Sequence, residues 1–288
     1  MLKKLIKKKR ITSNRTKIVN KLAPALSAKL HGFMKAQAKS IAAQVVRLYV
    51  KKLHGLNALR KITTQEIVDQ LELEGWAAFV TTDIAPDLSD VFKRAAVEAV
   101  DMVGADAEGI DINQMDERAL SYAKDRAAEM VGKKVIDGEL VDNGGWSIEE
   151  STRDMLRSTV SQAVEEGWSS DDLFNAILDS GTFSPERASL IAKTELGNAV
   201  EQGNLDGWKA SGVVSGKQWL TADDDLVSDE CNGNQDAGVV GIDEEFPSGD
   251  TAPLAHPFCR CTMIAVLDDG SDAEKYDAGK LLHKLLKK

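Results

Sequence analysis

The sequence predicts an α+β protein, predominantly helical, with a long N-terminal helical region followed by a small α+β C-terminal lobe. Three observations lead there. Apolar residues make up 43% of the chain but aromatics only 5%, so the core must be built from Leu, Ile, Val and Ala. Through the first two-thirds, apolar residues recur every three or four positions. After Gly212 this period gives way to short apolar runs separated by Gly, Asp, Asn and Pro. A chain of 288 residues can bury a substantial core in one large domain or two ordinary ones.

Residues 1–12 are rich in Lys, Arg, Leu and Ile and are expected to lack structure without a partner. From about Ser13 to Lys61 the helical stripe is Ile18, Leu22, Leu26, Leu30, Phe33, Ile41, Val45 and Leu48. Pro24 should start or kink a helix there. Thr63-Thr64-Gln65-Glu66 reads as a capping box opening a helix to about Val80. Further helices are expected from Pro86 to Val103 and from Met115 to Val131, around an acidic loop at Ala105–Ile112. A turn-rich stretch follows from Asp137 to Gly145. Ser147 with Glu150 opens a helix that Gly167 ends. Ser169 with Asp172 caps a short one, and Ser184 before Pro185 caps a third. Strands are expected at Lys217–Leu220, Val239–Ile242 and Thr262–Val266. The tail carries a short basic amphipathic helix with Leu281, Leu282, Leu285 and Leu286. Organisation follows these breaks: a basic arm at 1–62, a helical domain at 63–182, an α+β module at 183–267, and a linker with the tail helix at 268–288.

Charge is unevenly distributed. Of 36 Lys and Arg residues, 17 lie in residues 1–70, beside only Glu66 and Asp69. The remainder holds 19 bases against 44 acids, so a basic arm precedes an acidic body. Such an arm fits a polyanion, or the acidic face of its own chain. Lys3, Lys4, Lys7, Lys8, Lys9, Arg10, Arg15, Lys17 and Lys21 are the candidate contacts. With Phe33 and Tyr49 its only aromatics, the arm is poorly suited to stacking on single strands. No apolar run reaches the roughly 18 residues of a membrane span, and none follows Met1 in the manner of a signal peptide.

The final third carries a more specific pattern. Arg187-Ala188 and Ile191-Ala192-Lys193-Thr194-Glu195 are followed by Gly203, Trp208, Trp219, Asp223–Asp225, Cys231, Asp236 and Gly238. Val240 to Phe246, then Gly249 and Pro253, lead to His256-Pro257-Phe258-Cys259-Arg260-Cys261. This ordered set resembles the module of tailed-phage minor head proteins, the head-morphogenesis family like phage Mu F. It departs at Lys193, where Arg is usual, at Asn234, where many members have a second Cys, and at Phe258, where Asn is usual. The resemblance implies a minor capsid protein of the virion interior, assembled in the host cytoplasm. Its implied partners are portal and major capsid or scaffold proteins, with possible contact to phage DNA during packaging. It implies no catalysis, and Arg187, Glu195, Trp219 and Arg260 as core positions of the module. Some relatives carry an added toxin or transferase domain, and with 27 residues after Cys261 none is expected here.

Cys231, His256, Cys259 and Cys261 offer the ligand types of a Cys₃His zinc site. The tight Cys-x-Cys pair and the loss of a ligand at Asn234 favour the other reading, of small buried hydrophobes beside a His-Pro turn. The expectation is therefore no cofactor, with zinc as the alternative. Glu195 is expected to pair with a loop group such as Arg260. Asp223, Asp224, Asp225, Asp229 and Glu230 lack the ordered spacing of a calcium loop and read as a solvated acidic stretch. No G-x-S-x-G, Walker loop or G-x-G-x-x-G occurs. Two rival functions stand beside the head protein. One is a metal-dependent hydrolase or nuclease on His256, Cys259, Cys261 and Asp223–Asp225. The other is a membrane-surface protein using its basic amphipathic ends.

Overall fold

A computed structural model describes residues 2–54, 63–73, 75–105, 111–136, 139–143 and 147–267, with backbone only at 2–14, 52–54 and 112. The side chains of Lys3, Lys4, Lys7, Lys8, Lys9 and Arg10, and the whole tail helix, lie outside the described residues. The fold is the expected one, mainly helical with small sheets. Its helices are α1 (Leu2–His54), α2 (Thr64–Asp69), α3 (Trp76–Phe79), α4 (Ala85–Met102) and α5 (Ile112–Met130). Strands β1 (Lys133–Ile136) and β2 (Glu139–Asp142) follow. Then come α6 (Ile148–Glu166), α7 (Ser170–Asp179), α8 (Pro185–Ser211), β3 (Val214–Leu220), α9 (Asp229–Asp236), β4 (Val239–Gly241) and β5 (Thr262–Leu267). Among the described residues no helix is long and apolar enough to cross a membrane.

Two compact units emerge, each drawn from separated segments. The first comprises Met1–Ala23, Leu88–Leu120 and Lys193–Lys288, and the second Pro24–Asp87 and Ser121–Ala192.

In the second unit, α1 buries Leu26, Leu30, Met34, Ile41 and Val45 along one stripe. The helix runs from Leu2, not Ser13, and Pro24 lies exposed inside it. Thr63 and Glu66 form the expected reciprocal capping box. The helix it opens stops at Asp69, well short of Val80. Gly75, with φ of 87°, then starts α3, and a π turn at Val80–Ile84 leads into α4. Trp76 and Phe79 pack on Phe33, the rings of Phe33 and Phe79 stacked at 4.2 Å. Arg153 Nη1 and Nη2 donate to the carbonyls of Val68 and Leu71 at the end of α2. The buried Tyr49 hydroxyl sits 3.1 Å from the Ala163 carbonyl and 3.0 Å from the Trp168 carbonyl at the end of α6. The turn-rich stretch is a correction: β1 and β2 pair antiparallel, Ile136 opposite Glu139.

In the first unit, α8 lies against α4 at glycine distance. A Cβ on Gly203 would sit 2.3 Å from Phe92 O, and one on Gly207 would sit 2.2 Å from Ala96 O. Only glycine permits this approach. Leu205, Trp208, Val214, Ala252 and Met263 form a core with Ala99. The sheet order is β4-β3-β5, all antiparallel, with Trp219 opposite Met263.

Candidate functional site

The site is built where β3, α9 and the residues before β5 meet. Trp219 on β3 is fully buried and meets Phe246 edge-on, with centroids 5.0 Å apart. Around this pair pack Cys231, Cys259 and Cys261, all three reduced and buried. Cys231 lies not in a loop, as its polar neighbours suggest, but in α9, whose N-cap Ser228 accepts the backbone N–H of Cys231. Asp229 and Glu230 occupy its first turn, where carboxylates favour the helix dipole. His256 and Cys259 come from a β-turn closed by the Cys259 N–H to the His256 carbonyl at 3.1 Å. Pro257 supplies the turn's fixed φ, and Phe258 takes φ of 63° with its ring exposed. That backbone conformation suits Asn, the residue usual here in the family the sequence resembles, far better than Phe.

The sulfur of Cys231 lies 3.5 Å from His256 Nε2 and 3.7 Å from Cys259 Sγ. Cys231, His256 and Cys259 thus bring three ligand atoms within 4.8 Å of one another. His256 Nδ1 sits 2.8 Å from the Pro257 carbonyl, which holds the Nδ1–H and turns the Nε2 lone pair toward Cys231 and Ser228. Cys261 is buried in the same packed cluster. The Cys261 thiol and the backbone N–H groups of Cys261 and Ala255 favour the Cys259 thiolate, bringing its pKa down to about 5 despite burial. Cys261, donating to that thiolate and buried, is pushed up. Cys231 is also raised, chiefly by burial. A cavity of about 10 Å³ opens over the cluster between Leu226, Val227, Phe258 and Arg260. That is room for one ion or water.

Asn234 does not belong to this cluster. It is fully buried one turn further along α9, where its amide donates to Ser248 Oγ at 2.8 Å and its oxygen accepts the Ser248 N–H at 3.0 Å. The cluster is thus assembled without any ligand from position 234.

The other expected positions separate. Arg187, in the second unit, is mostly buried and donates to the Thr182 and Ile148 carbonyls and to the Thr152 and Ser151 hydroxyls. Burial lowers its pKa to about 10. Glu195 is buried in the first unit. Arg260, its expected partner, instead directs both terminal nitrogens to Asp224 at 2.6 Å each. Asp224 also accepts the Leu226 N–H and so shapes its own loop.

Arg15 departs from its expected role as a surface cation. Its Nη1 donates to the Cys261 carbonyl and its Nη2 to the Cys259 carbonyl at 3.1 Å. Glu201, completely buried, stands 3.6 Å from Arg15 Nη1 and accepts from Thr262 Oγ1 at 2.7 Å. Lys17 and Lys21 are exposed as expected. Sequence reasoning also passed over Lys217. It is buried on β3, donates to the Ile242 carbonyl at 3.1 Å, and lies 5.4 Å from the Phe246 ring centroid. Burial, with Lys209 nearby, lowers its pKa to about 8. Its place in a strand bounded by apolar residues was the available signal.

No curated protein and no solved structure matches the chain. A family model described as Phage Mu protein F like protein matches residues 154–264, which contain the cysteine cluster, α9 and nearly all of the three-stranded sheet. Over residues 154–264 this chain is therefore similar to the phage Mu F-like proteins.

Proposed function

We propose that the chain is a minor head protein of a tailed phage or prophage, acting in procapsid assembly beside the portal and reaching packaged DNA through α1. The Mu F-like match over residues 154–264 is the observation that carries this reading. Two features of the molecule support it. The cavity over the cysteine–histidine cluster is small, which supports a role carried by surfaces. Along α1, Lys17, Lys21, Lys35, Lys39, Arg47 and Lys51 are exposed cations suited to phosphates without reading bases.

Co-expression of the full chain with the portal protein of the same phage or prophage tests the assembly role. The two should co-purify at physiological salt, and a chain that never associates with portal, scaffold or capsid protein contradicts the reading. For the DNA contact, duplex affinity is measured across a salt series. Replacing Lys17 and Lys21 with Ala should reduce the slope of log K against log salt by roughly 0.9 for each phosphate that is no longer neutralised. An unchanged slope removes these two residues from the interface.

A further inference from the structure

We propose that Cys231, His256, Cys259 and Cys261 bind one Zn²⁺, which clips the first turn of α9 to the His256–Cys261 turn. This does not depend on the head-assembly reading.

The ligand spacings are those of a metal site. Zinc bonds of about 2.3 Å to sulfur and 2.0–2.1 Å to nitrogen, at tetrahedral angles, put ligand atoms roughly 3.8 Å apart for S···S and 3.6 Å for S···N. The observed separations are 3.7 Å for Cys231–Cys259 and 3.5 Å for Cys231–His256. S–H···N and S–H···S hydrogen bonds also reach these distances, and one shared central ion accounts for both at once. The second sphere is also in place. The Pro257 carbonyl on His256 Nδ1 fixes Nε2 as the metal-facing nitrogen, the usual outer-shell arrangement for a ligating histidine.

Cys231, His256 and Cys259 are the three ligands that converge, and Cys261, buried in the same packed cluster, is the further sulfur we assign as the fourth. Four protein ligands make a closed site, which is structural rather than catalytic. Arg15 holds the carbonyls of Cys259 and Cys261, and so fixes the backbone of both. Asn234 leaves the set intact because its side chain serves the Ser248 turn. On binding, thiols that remain protonated release their protons to solvent, so three thiolates and a neutral imidazole face the metal.

The test uses tag-free full chain, purified under reducing conditions from zinc-supplemented medium. One equivalent of zinc per chain by elemental analysis is expected, as is a thiolate-to-metal charge-transfer band when cobalt replaces it. Adding zinc to chelator-stripped protein should raise Tm by roughly 5–15 °C. Cys231→Ser and His256→Ala should each cut bound zinc at least tenfold. Cys261→Ser should lose the charge-transfer intensity of one thiolate. Far-ultraviolet circular dichroism of each variant shows whether it is folded when scored. Wild-type protein with far less than one equivalent of zinc, no cobalt charge-transfer band and no zinc-dependent Tm shift overturns the site. A Cys261→Ser variant with an unchanged cobalt spectrum overturns the fourth ligand.

Discussion

Arg15 and Glu201 form an ion pair 186 positions apart in sequence, with Arg15 Nη1 3.6 Å from a carboxylate that has no solvent exposure. The same guanidinium holds the Cys259 and Cys261 carbonyls, so α1 and the Cys-x-Cys turn share one cation. Removing it leaves a buried carboxylate and two carbonyls without their donor. Arg15→Ala should therefore destabilise the protein by about 3–5 kcal/mol. Lys17→Ala, two residues along on the exposed face, should change stability by less than about 0.5 kcal/mol. Chemical denaturation of the two variants makes the comparison, and equal small effects would mean Arg15 is a surface residue.

Burial raises the Glu201 carboxyl above its ordinary value of 4.5, with Arg15, Thr262 and the Met263 N–H opposing the shift. A raised acid favours the folded state while it is protonated. Its contribution is fully present below the unfolded pKa and is lost as pH rises through the folded one. Stability should thus fall with pH from about 4.5 upward, and Glu201→Gln should flatten that fall. Melting curves of both proteins across this range give the difference, and parallel profiles would contradict the assignment.

Gly203 and Gly207 make opposite predictions from Gly233. Helix propensity alone favours Ala over Gly by about 1 kcal/mol. At Gly203 the new Cβ would lie 2.3 Å from Phe92 O, so α8 and α4 must separate. Overpacking at about 1–3 kcal/mol or more outweighs the propensity gain. Gly203→Ala and Gly207→Ala should each lower Tm, whereas Gly233→Ala on α9, with open space around it, should raise it slightly. Calorimetry reads the sign directly.

Phe258 holds a left-handed φ of 63° with its side chain 72% exposed, so it bears the backbone cost with little burial in return. Phe258→Asn or Phe258→Gly should stabilise the turn by about 1 kcal/mol, raising Tm by roughly 2–4 °C. A fall in stability would instead show that the ring's packing outweighs the strain.

These cases also show which parts of the molecule its sequence discloses. Ser147, Ser169 and Ser184 were readable because a cap is a three-residue relationship, and each accepts the expected backbone N–H. Helix α9 was not readable by period, since Cys231 and Asn234 are its only buried residues. Ser228 followed by Asp229 and Glu230 was the signal that could have found it. The β1–β2 pair was likewise announced by Asp137-Gly138 between Val135-Ile136 and Leu140-Val141. The cysteine–histidine cluster was legible as a set of residue types. Its distances were not, nor was the role of Asn234, because both depend on a turn and a helix meeting in space. Arg15 was misread for the same reason. Beside Lys17 and Lys21 it looks like one more arm cation, and only the fold brings it to Glu201.

Work in the phage head is the central role proposed for this chain. Its most direct test is quantitative mass spectrometry of purified procapsids and virions from the phage or induced prophage that encodes it. The chain should be present in these particles at a few copies per portal ring. Its absence from both procapsids and virions would contradict the role.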